Sequence, residues 1–258
     1  MMTLFLQASL LIWVLVTLLW IWSIIIKNVS IVDIFWGVGF VVVNAFYVLV
    51  SGELNPRKIL ILLLVSVWGL RLAIHLAIRN IGKGEDFRYR EFRRKYGAER
   101  YWWFSYFQTF LLQGVLIMIV SLPLLGISMG PRSGNLNLLD YLGIFIWLIG
   151  FTFEAGGDFQ LSRFRGDPKN RGKVLNTGFW KYTRHPNYFG DSAVWWGYAL
   201  FSIAAGSYWH IIGSVIMTLL IIRVSGVALI EKTLNESKPQ YQEYIQKTSS
   251  FFPWFPKK

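Results

Sequence analysis

The 258-residue chain contains no cysteine. That absence excludes disulfides, thiolate catalysis, iron–sulfur clusters and cysteine-bound zinc. Three histidines are too few for a His-rich metal centre, and the sequence suggests no metal. Charge is scarce as well: Asp, Glu, Lys and Arg make up 16% of residues, against roughly 25% in soluble domains. Internal repeats, low-complexity tracts and long linkers are all missing, so residues 1–258 read as one transmembrane domain. The N-terminus lacks the basic stretch of a secretory signal, and its apolar run is too long for one. Residues 3–26 therefore read as a retained first span.

Apolar side chains are plentiful. They account for 54% of residues, with 13 Trp and 12 Tyr, and the mean hydropathy is +0.44. Trp and Tyr at this density suit the aromatic belts of a bilayer. A bilayer core needs roughly 20 apolar residues per helix. Seven stretches qualify, at about 3–26, 30–50, 58–79, 103–127, 137–157, 188–205 and 208–230. The expected fold is an all-α integral membrane protein of seven transmembrane helices.

The net charge of +12 fits cytoplasmic loops rich in Lys and Arg, with no nucleic-acid partner. With the N-terminus outside, twenty-one of the 26 basic residues fall on the inner side and only Arg57, Lys58 and Arg132 on the outer. This asymmetry predicts an inner membrane protein with its N-terminus out and its C-terminus cytoplasmic. Ionisable residues inside membrane segments are functional candidates, and here they gather at one depth. Asp33 opens the second span, Arg71 and His75 lie in the last turns of the third, and Glu154 and Asp158 close the fifth. Asp191 opens the sixth, and Arg223 and Glu231 close the seventh. Together they predict one polar cavity on the cytoplasmic side. Residues 1–135 would form its substrate side and 136–258 its cofactor-binding half.

Four stretches carry the chemistry. In "FEAGGDFQLSRFR" (153–165), Glu154, Asp158, Leu161 and Arg165 share one helical face. The fifth helix is thus expected to project beyond the bilayer with a polar stripe. Its paired Gly156 and Gly157 mark a close approach of another group to the backbone. The loop "GDPKNRGKVLNTGFWKY" (166–182) carries Lys169, Arg171, Lys173 and Lys181; its lysines are read as positive-inside charge. In "KYTRHPNYFGD" (181–191), Pro186 suits the first position of a helix. The backbone N–H groups of that helix end make a ready phosphate site, with Asn187 and Asp191 one turn apart beside it. In "SVWGLRLAIHLAIRN" (66–80), Arg71 and His75 lie four apart, with Asp33 at matching depth as the expected partner of Arg71. The charged segment "EDFRYREFRRKYG" (85–97) reads as an inner-surface helix.

The stretch "TRHPNYFGD" resembles the signature of the sterol C14-reductases. The wider pattern, "FEAGGDFQ", "GDPKNRG", "LNTGFWKYTRHPNYFGD" and "EYIQKTSSFFPWF", is similar to a bacterial family related to the steroid 5α-reductase C-terminal domain. The resemblance covers roughly 150–255, with "VDIFWG" and "WGLRLAIHLAIRN" extending it. It implies NADPH bound in the cytosolic half of the bundle and a lipid-like substrate with a conjugated double bond entering from the bilayer. The implied cofactor set is Asp158, Arg165, Tyr182, Arg184, Asn187 and Asp191. Glu154 stands where the 5α-reductases have an asparagine, His185 follows the sterol reductases, and Tyr244 belongs to the tail motif.

The catalytic Gln–Glu pair of the 5α-reductases is missing, and Trp68 stands where they have a tyrosine. Asp33, Arg71 and His75 are the available substitutes, with His75 the expected proton donor. The Arg-His-Pro core also resembles isoprenylcysteine carboxyl methyltransferases and phospholipid methyltransferases. An S-adenosylmethionine-dependent methyltransferase acting on a lipid or prenyl substrate is therefore the alternative. Against it, those enzymes follow their His-Pro with an apolar residue and end with paired glutamates. This chain has Asn187 and a Glu231–Lys232 tail.

Overall fold

A computed structural model describes residues 1–130, 135–225 and 240–257. Among the described residues every regular element is a helix. The chain divides into two compact units, Met1–Asn135 with Ala205–His210, and Leu136–Ala204 with Ile211–Lys258. Among the described residues five helices are long and apolar enough to cross a membrane. These are α1 (Met2–Ile25), α2 (Ile31–Val50), α3 (Pro56–Asn80), α5 (Ala98–Val120) and α7 (Leu138–Gly166). The sixth expected stretch forms α8, Pro186–Ala204. The seventh forms a shorter apolar helix, Tyr208–Arg223. Its main α-helical part is α9, Ile212–Leu219. Residues 226–230 of that stretch, with Glu231, lie outside the described residues, as does Arg132. Three shorter helices complete the set: α4 (Phe87–Tyr96), α6 (Leu122–Met129) and α10 (Gln240–Lys247).

In the first unit α2 and α3 cross at paired glycines. A Cβ on Gly69 would come within 2.6 Å of the Gly37 carbonyl oxygen, so only glycine permits this approach. The 80–101 segment does more than lie on a surface. Ser30 Oγ accepts from the Asp86 amide at 2.6 Å, and Glu85 accepts from the Val29 amide at 3.0 Å. Asp86 then caps α4 by accepting from the Arg88 amide at 3.0 Å. These bonds fasten α4 to the turn between α1 and α2.

Asp33 is drawn into the same network. Its carboxylate accepts from Arg88 Nη2 at 2.6 Å and from the Tyr89 hydroxyl at 2.6 Å. The expected Asp33–Arg71 pair is therefore corrected. The guanidinium that meets Asp33 comes from α4, because the Asp86 cap aims the first turn of that helix at the start of α2. Burial first, and then the Asp33 carboxylate, push the Tyr89 phenol well above its ordinary range and keep it a donor. Burial opposes the charge on Arg88, but Asp33 and Asp86 outweigh it and hold the guanidinium above its ordinary value. Arg71 and His75 are half-buried on α3.

In the second unit α7 and α8 pack along their lengths. Gly143, Gly150 and Gly157 recur every seventh residue on α7, facing Gly190 and Gly197 on α8. A Cβ on Gly150 would lie 2.6 Å from the Gly190 carbonyl oxygen, and one on Gly197 would lie 2.9 Å from the Gly143 carbonyl oxygen. Small residues at such a spacing let membrane helices approach backbone to backbone. Gly190→Ala would drive its methyl into the Glu154 amide and the Gly150 carbonyl, and overpacking of this kind costs roughly 1–3 kcal/mol. The expected result is a melting temperature several degrees lower in detergent. Gly166→Ala, where a Cβ meets nothing within 4 Å, is expected to leave it unchanged or raise it. Equal melting curves for the two variants would show that the crossing tolerates a methyl.

Candidate cofactor site

The 29 residues of α7 make a helix about 43 Å long at 1.5 Å per residue. A hydrocarbon core is about 30 Å thick, so more than two turns project beyond it. That extension, Gly157 to Gly166, forms the first wall of the site. Asn170 Nδ2 donates to the Phe164 carbonyl at 3.1 Å and turns the following loop back along α7. Gln160 Oε1 accepts from the Phe179 amide at 3.0 Å, and Trp180 Nε1 donates to the Gly157 carbonyl at 3.1 Å. The paired glycines have separate uses. A side chain on Gly156 would strike the Phe179 ring, and one on Gly157 would sit 3.1 Å from the Asn187 backbone nitrogen.

The second wall begins at Pro186, the first residue of α8. Proline is pre-set for that position because the helix asks no N–H of it. Asn187 Nδ2 donates to Asp158 Oδ1 at 3.0 Å, joining the first turn of α8 to α7. The His185 ring stacks on Tyr188, with centroids 5.7 Å apart and planes 17° apart.

The third wall is the tail. Arg184 is buried; its Nη1 donates to the carbonyls of Ile245 at 3.1 Å and Thr248 at 2.5 Å. The Arg184 amide donates to the Ser249 carbonyl at 2.9 Å. Thr183 Oγ1 donates to the Phe251 carbonyl at 2.8 Å, and the Tyr244 hydroxyl donates to the Trp180 carbonyl. Burial pushes the Tyr244 phenol above its ordinary value, with Tyr241 adding to the effect, so it stays protonated and donating at neutral pH.

These walls enclose a cavity of 530 Å³, within the usual 300–1,000 Å³ range of small-molecule sites. Of the residues singled out from the sequence, Arg165, Arg184, His185, Asn187 and Tyr244 line it. Asp158 stands behind Asn187 as its acceptor. Glu154 is buried at the α7–α8 crossing, and Asp191 is half-buried one turn further along α8; neither is in the lining. Tyr182 is outside it too. It directly follows the 3₁₀ turn Gly178–Lys181 that precedes α8, and its exposed ring meets Phe255 edge-on at 6.0 Å.

Several lining residues fall outside the expected cofactor set: Arg171, Lys173, Trp180, Tyr188 and Tyr241. Tyr241 was open to detection, since it lies three residues before Tyr244 on the same helical face. Lys173 looked like ordinary loop charge until the loop's fold placed it on the cavity.

The lining has a clear electrostatic sign. Among the described residues, the lining has four basic side chains, Arg165, Arg171, Lys173 and Arg184, and one carboxylate, Asp167. The positive end of the α8 dipole adds to them. Trp180, Tyr188 and Tyr241 supply flat rings. A cavity of this kind suits an anionic ligand with an aromatic part.

Residues 19–248 match the family described as "Protein of unknown function (DUF1295)". The chain is also 25% identical to the uncharacterized protein C594.04c of Schizosaccharomyces pombe, over 96% of this chain and 79% of that protein. No solved structure matches it. With most of its length matched, the chain belongs to the DUF1295 family, a steroid 5α-reductase-like family.

Proposed function

We propose that the protein is a membrane-embedded reductase that uses NADPH to reduce an activated C=C bond in a lipid or steroid-like substrate. The observation that carries this reading is the cavity lining, which among the described residues has four basic side chains against one carboxylate, beside the start of α8. A dinucleotide phosphate brings negative charge on its pyrophosphate and 2′-phosphate, and Arg forks and Lys ammonium groups suit both. S-adenosylmethionine has no phosphate and carries a cationic sulfonium, which an excess of positive lining charge disfavours.

When bound, the cofactor would supply hydride. The chain's own residues place it and manage charge. Arg165, Arg171 and Lys173 hold the phosphates, while the rings of Trp180, Tyr188 and Tyr241 offer stacking faces. Asn187, steadied by Asp158, presents a carboxamide to the polar edge of the ligand. Glu154 and Asp191 support α8 from behind the lining, and Tyr182 supports the tail. On the substrate side, Arg71 donates to the carbonyl oxygen as negative charge develops there, and His75 delivers the proton. Asp33 acts through Arg88 and Tyr89, fixing α4. The chain crosses the membrane seven times, with the N-terminus outside and the C-terminus and cofactor cavity on the cytoplasmic side.

Isothermal titration of the purified protein in nanodiscs with NADPH, and separately with S-adenosylmethionine, tests the reading. NADPH is expected to bind and S-adenosylmethionine to give no heat. Hydrogen bonds to charged groups contribute roughly 1.5–3 kcal/mol each. Arg165→Glu combined with Arg171→Glu should therefore weaken NADPH by at least about 100-fold, and Asp191→Ala by less. Binding of S-adenosylmethionine alone would overturn the reductase in favour of the methyltransferase.

A further inference from the structure

The last described residues of the tail show two properties that rarely occur together. Their backbone is fixed. The Trp254 amide donates to the Tyr182 carbonyl at 2.9 Å, the Lys257 amide donates to the Lys247 carbonyl at 2.9 Å, and Thr183 holds the Phe251 carbonyl. Yet their largest side chains stand in the open: Phe252 is 69% exposed, Trp254 72% and Phe255 75%. Phe251, by contrast, is buried. A frayed end would expose rings at random, whereas this tail presents three of them on a fixed backbone. An apolar patch held out in this way marks an interaction surface.

The neighbours of the patch set its level. Phe189, in the first turn of α8, has its ring 6.1 Å from Phe251 and 6.2 Å from Phe252. The same ring lies 5.2 Å from Phe153 of α7. The patch is therefore level with the turn where α8 begins, beside the part of α7 that passes from its apolar run into its polar extension. Aromatic rings collect at this depth in membrane proteins, at the headgroup level. Two lysines, 257 and 258, end the sequence and match the negative surface of a leaflet rich in anionic lipid.

We propose that residues 251–257 are an interfacial anchor whose partner is the anionic lipid surface around the start of α8. Phe252, Trp254 and Phe255 enter the headgroup region, and Lys257 engages lipid phosphates. The tail that carries the anchor also supplies Tyr241 and Tyr244 to the cavity wall, so the membrane helps to seat one wall of the site.

The chain has no cysteine, so a single introduced one takes a label without background. Phe255→Cys carrying a bimane fluorophore is placed in nanodiscs containing phosphatidylglycerol, with Lys169→Cys on the exposed loop as comparison. The label at 255 is expected to be quenched at least about twofold more by headgroup-level nitroxide lipid than by aqueous iodide. At 169 the order should reverse. Exchanging phosphatidylglycerol for phosphatidylcholine, or substituting Lys257→Glu and Lys258→Glu, should lower the lipid quenching at 255. Iodide access at 255 equal to that at 169 would overturn the proposal. So would shielding from both quenchers, which would assign the patch to a second copy of the chain. Phe252→Cys gives the same readout should the first variant fail to fold.

Discussion

Arg184→Met is expected to release the tail and to reduce NADPH affinity by at least about 100-fold. The side chain is 7% exposed, and its Nη1 holds the carbonyls of Ile245 and Thr248 at the end of α10. Methionine keeps the length and apolar stem of arginine but removes both charge-assisted bonds, worth roughly 1.5–3 kcal/mol each. It also leaves two carbonyls without that donor. The remaining ties, from Tyr244 to Trp180, from Thr183 to Phe251, from the residue-184 amide to Ser249 and from the Trp254 amide to Tyr182, are neutral bonds worth about 1 kcal/mol apiece. With the tail loosened, Tyr241 and Tyr244 no longer close the cavity.

Two measurements separate this loss from general unfolding. Trypsin should cut after Lys247 at least about tenfold faster in Arg184→Met, while helicity by circular dichroism stays near wild type, because the glycine crossing of α7 and α8 is untouched. Tyr244→Phe should show the same effects at about a fifth of the free-energy cost or somewhat more. In the wild type, NADPH should slow the cut, since a ligand that binds only the seated tail stabilises that state. Unchanged NADPH affinity alongside a released tail would show that the tail is no part of the site.

Much of this site was legible in the sequence because its signals are local. Pro186 marked the start of α8, since no other residue is so restricted in backbone angle. The spacing of Glu154, Asp158 and Arg165 gave away the polar extension of α7. The paired Gly156 and Gly157 pointed to close contacts, one of which proved to be the first turn of α8 and the other the Phe179 ring. Tyr182 resisted the same reasoning. Between Thr177 and Pro186 the chain is a short 3₁₀ turn and loop, where neighbouring residues have no fixed face, so Arg184 could line the cavity while Tyr182 turned away.

The partner of Asp33 was not legible for a different reason. Seven basic residues between 80 and 101 compete for that carboxylate, and sequence spacing cannot choose among them. The choice is made by Asp86, whose cap orients α4 so that Arg88 and Tyr89 arrive together. The glycine ladder of α7 was present in the sequence all along. Its seven-residue period is diluted by twenty-three glycines in the chain and becomes visible only when α8 supplies the matching pair.

On the substrate side, Arg71→Ala is expected to reduce turnover by roughly 100- to 1,000-fold, the usual effect of removing one donor to a developing oxyanion. NADPH affinity should stay within about twofold. Exposed apolar residues on α3, Leu63, Val67, Leu70, Ile74 and Ile78, recur every three or four positions and mark a lipid-facing stripe. Arg71 and His75 lie off that stripe, one turn apart and half-buried. An ionisable residue at such a position in a membrane helix is a functional candidate. Asp33→Asn makes the contrasting case. The amide is isosteric and its oxygen can still accept from Tyr89, but the ion pair with Arg88 at 2.6 Å is lost. That variant should melt several degrees lower while losing less than about tenfold in turnover, because Asp33 positions α4 and does not touch substrate. Consumption of NADPH with a panel of conjugated enone lipids in nanodiscs, read beside melting curves, separates the two roles. If Arg71→Ala melts as low as Asp33→Asn and loses NADPH affinity in parallel with turnover, Arg71 is a structural brace, and the oxyanion donor must be sought among other side chains.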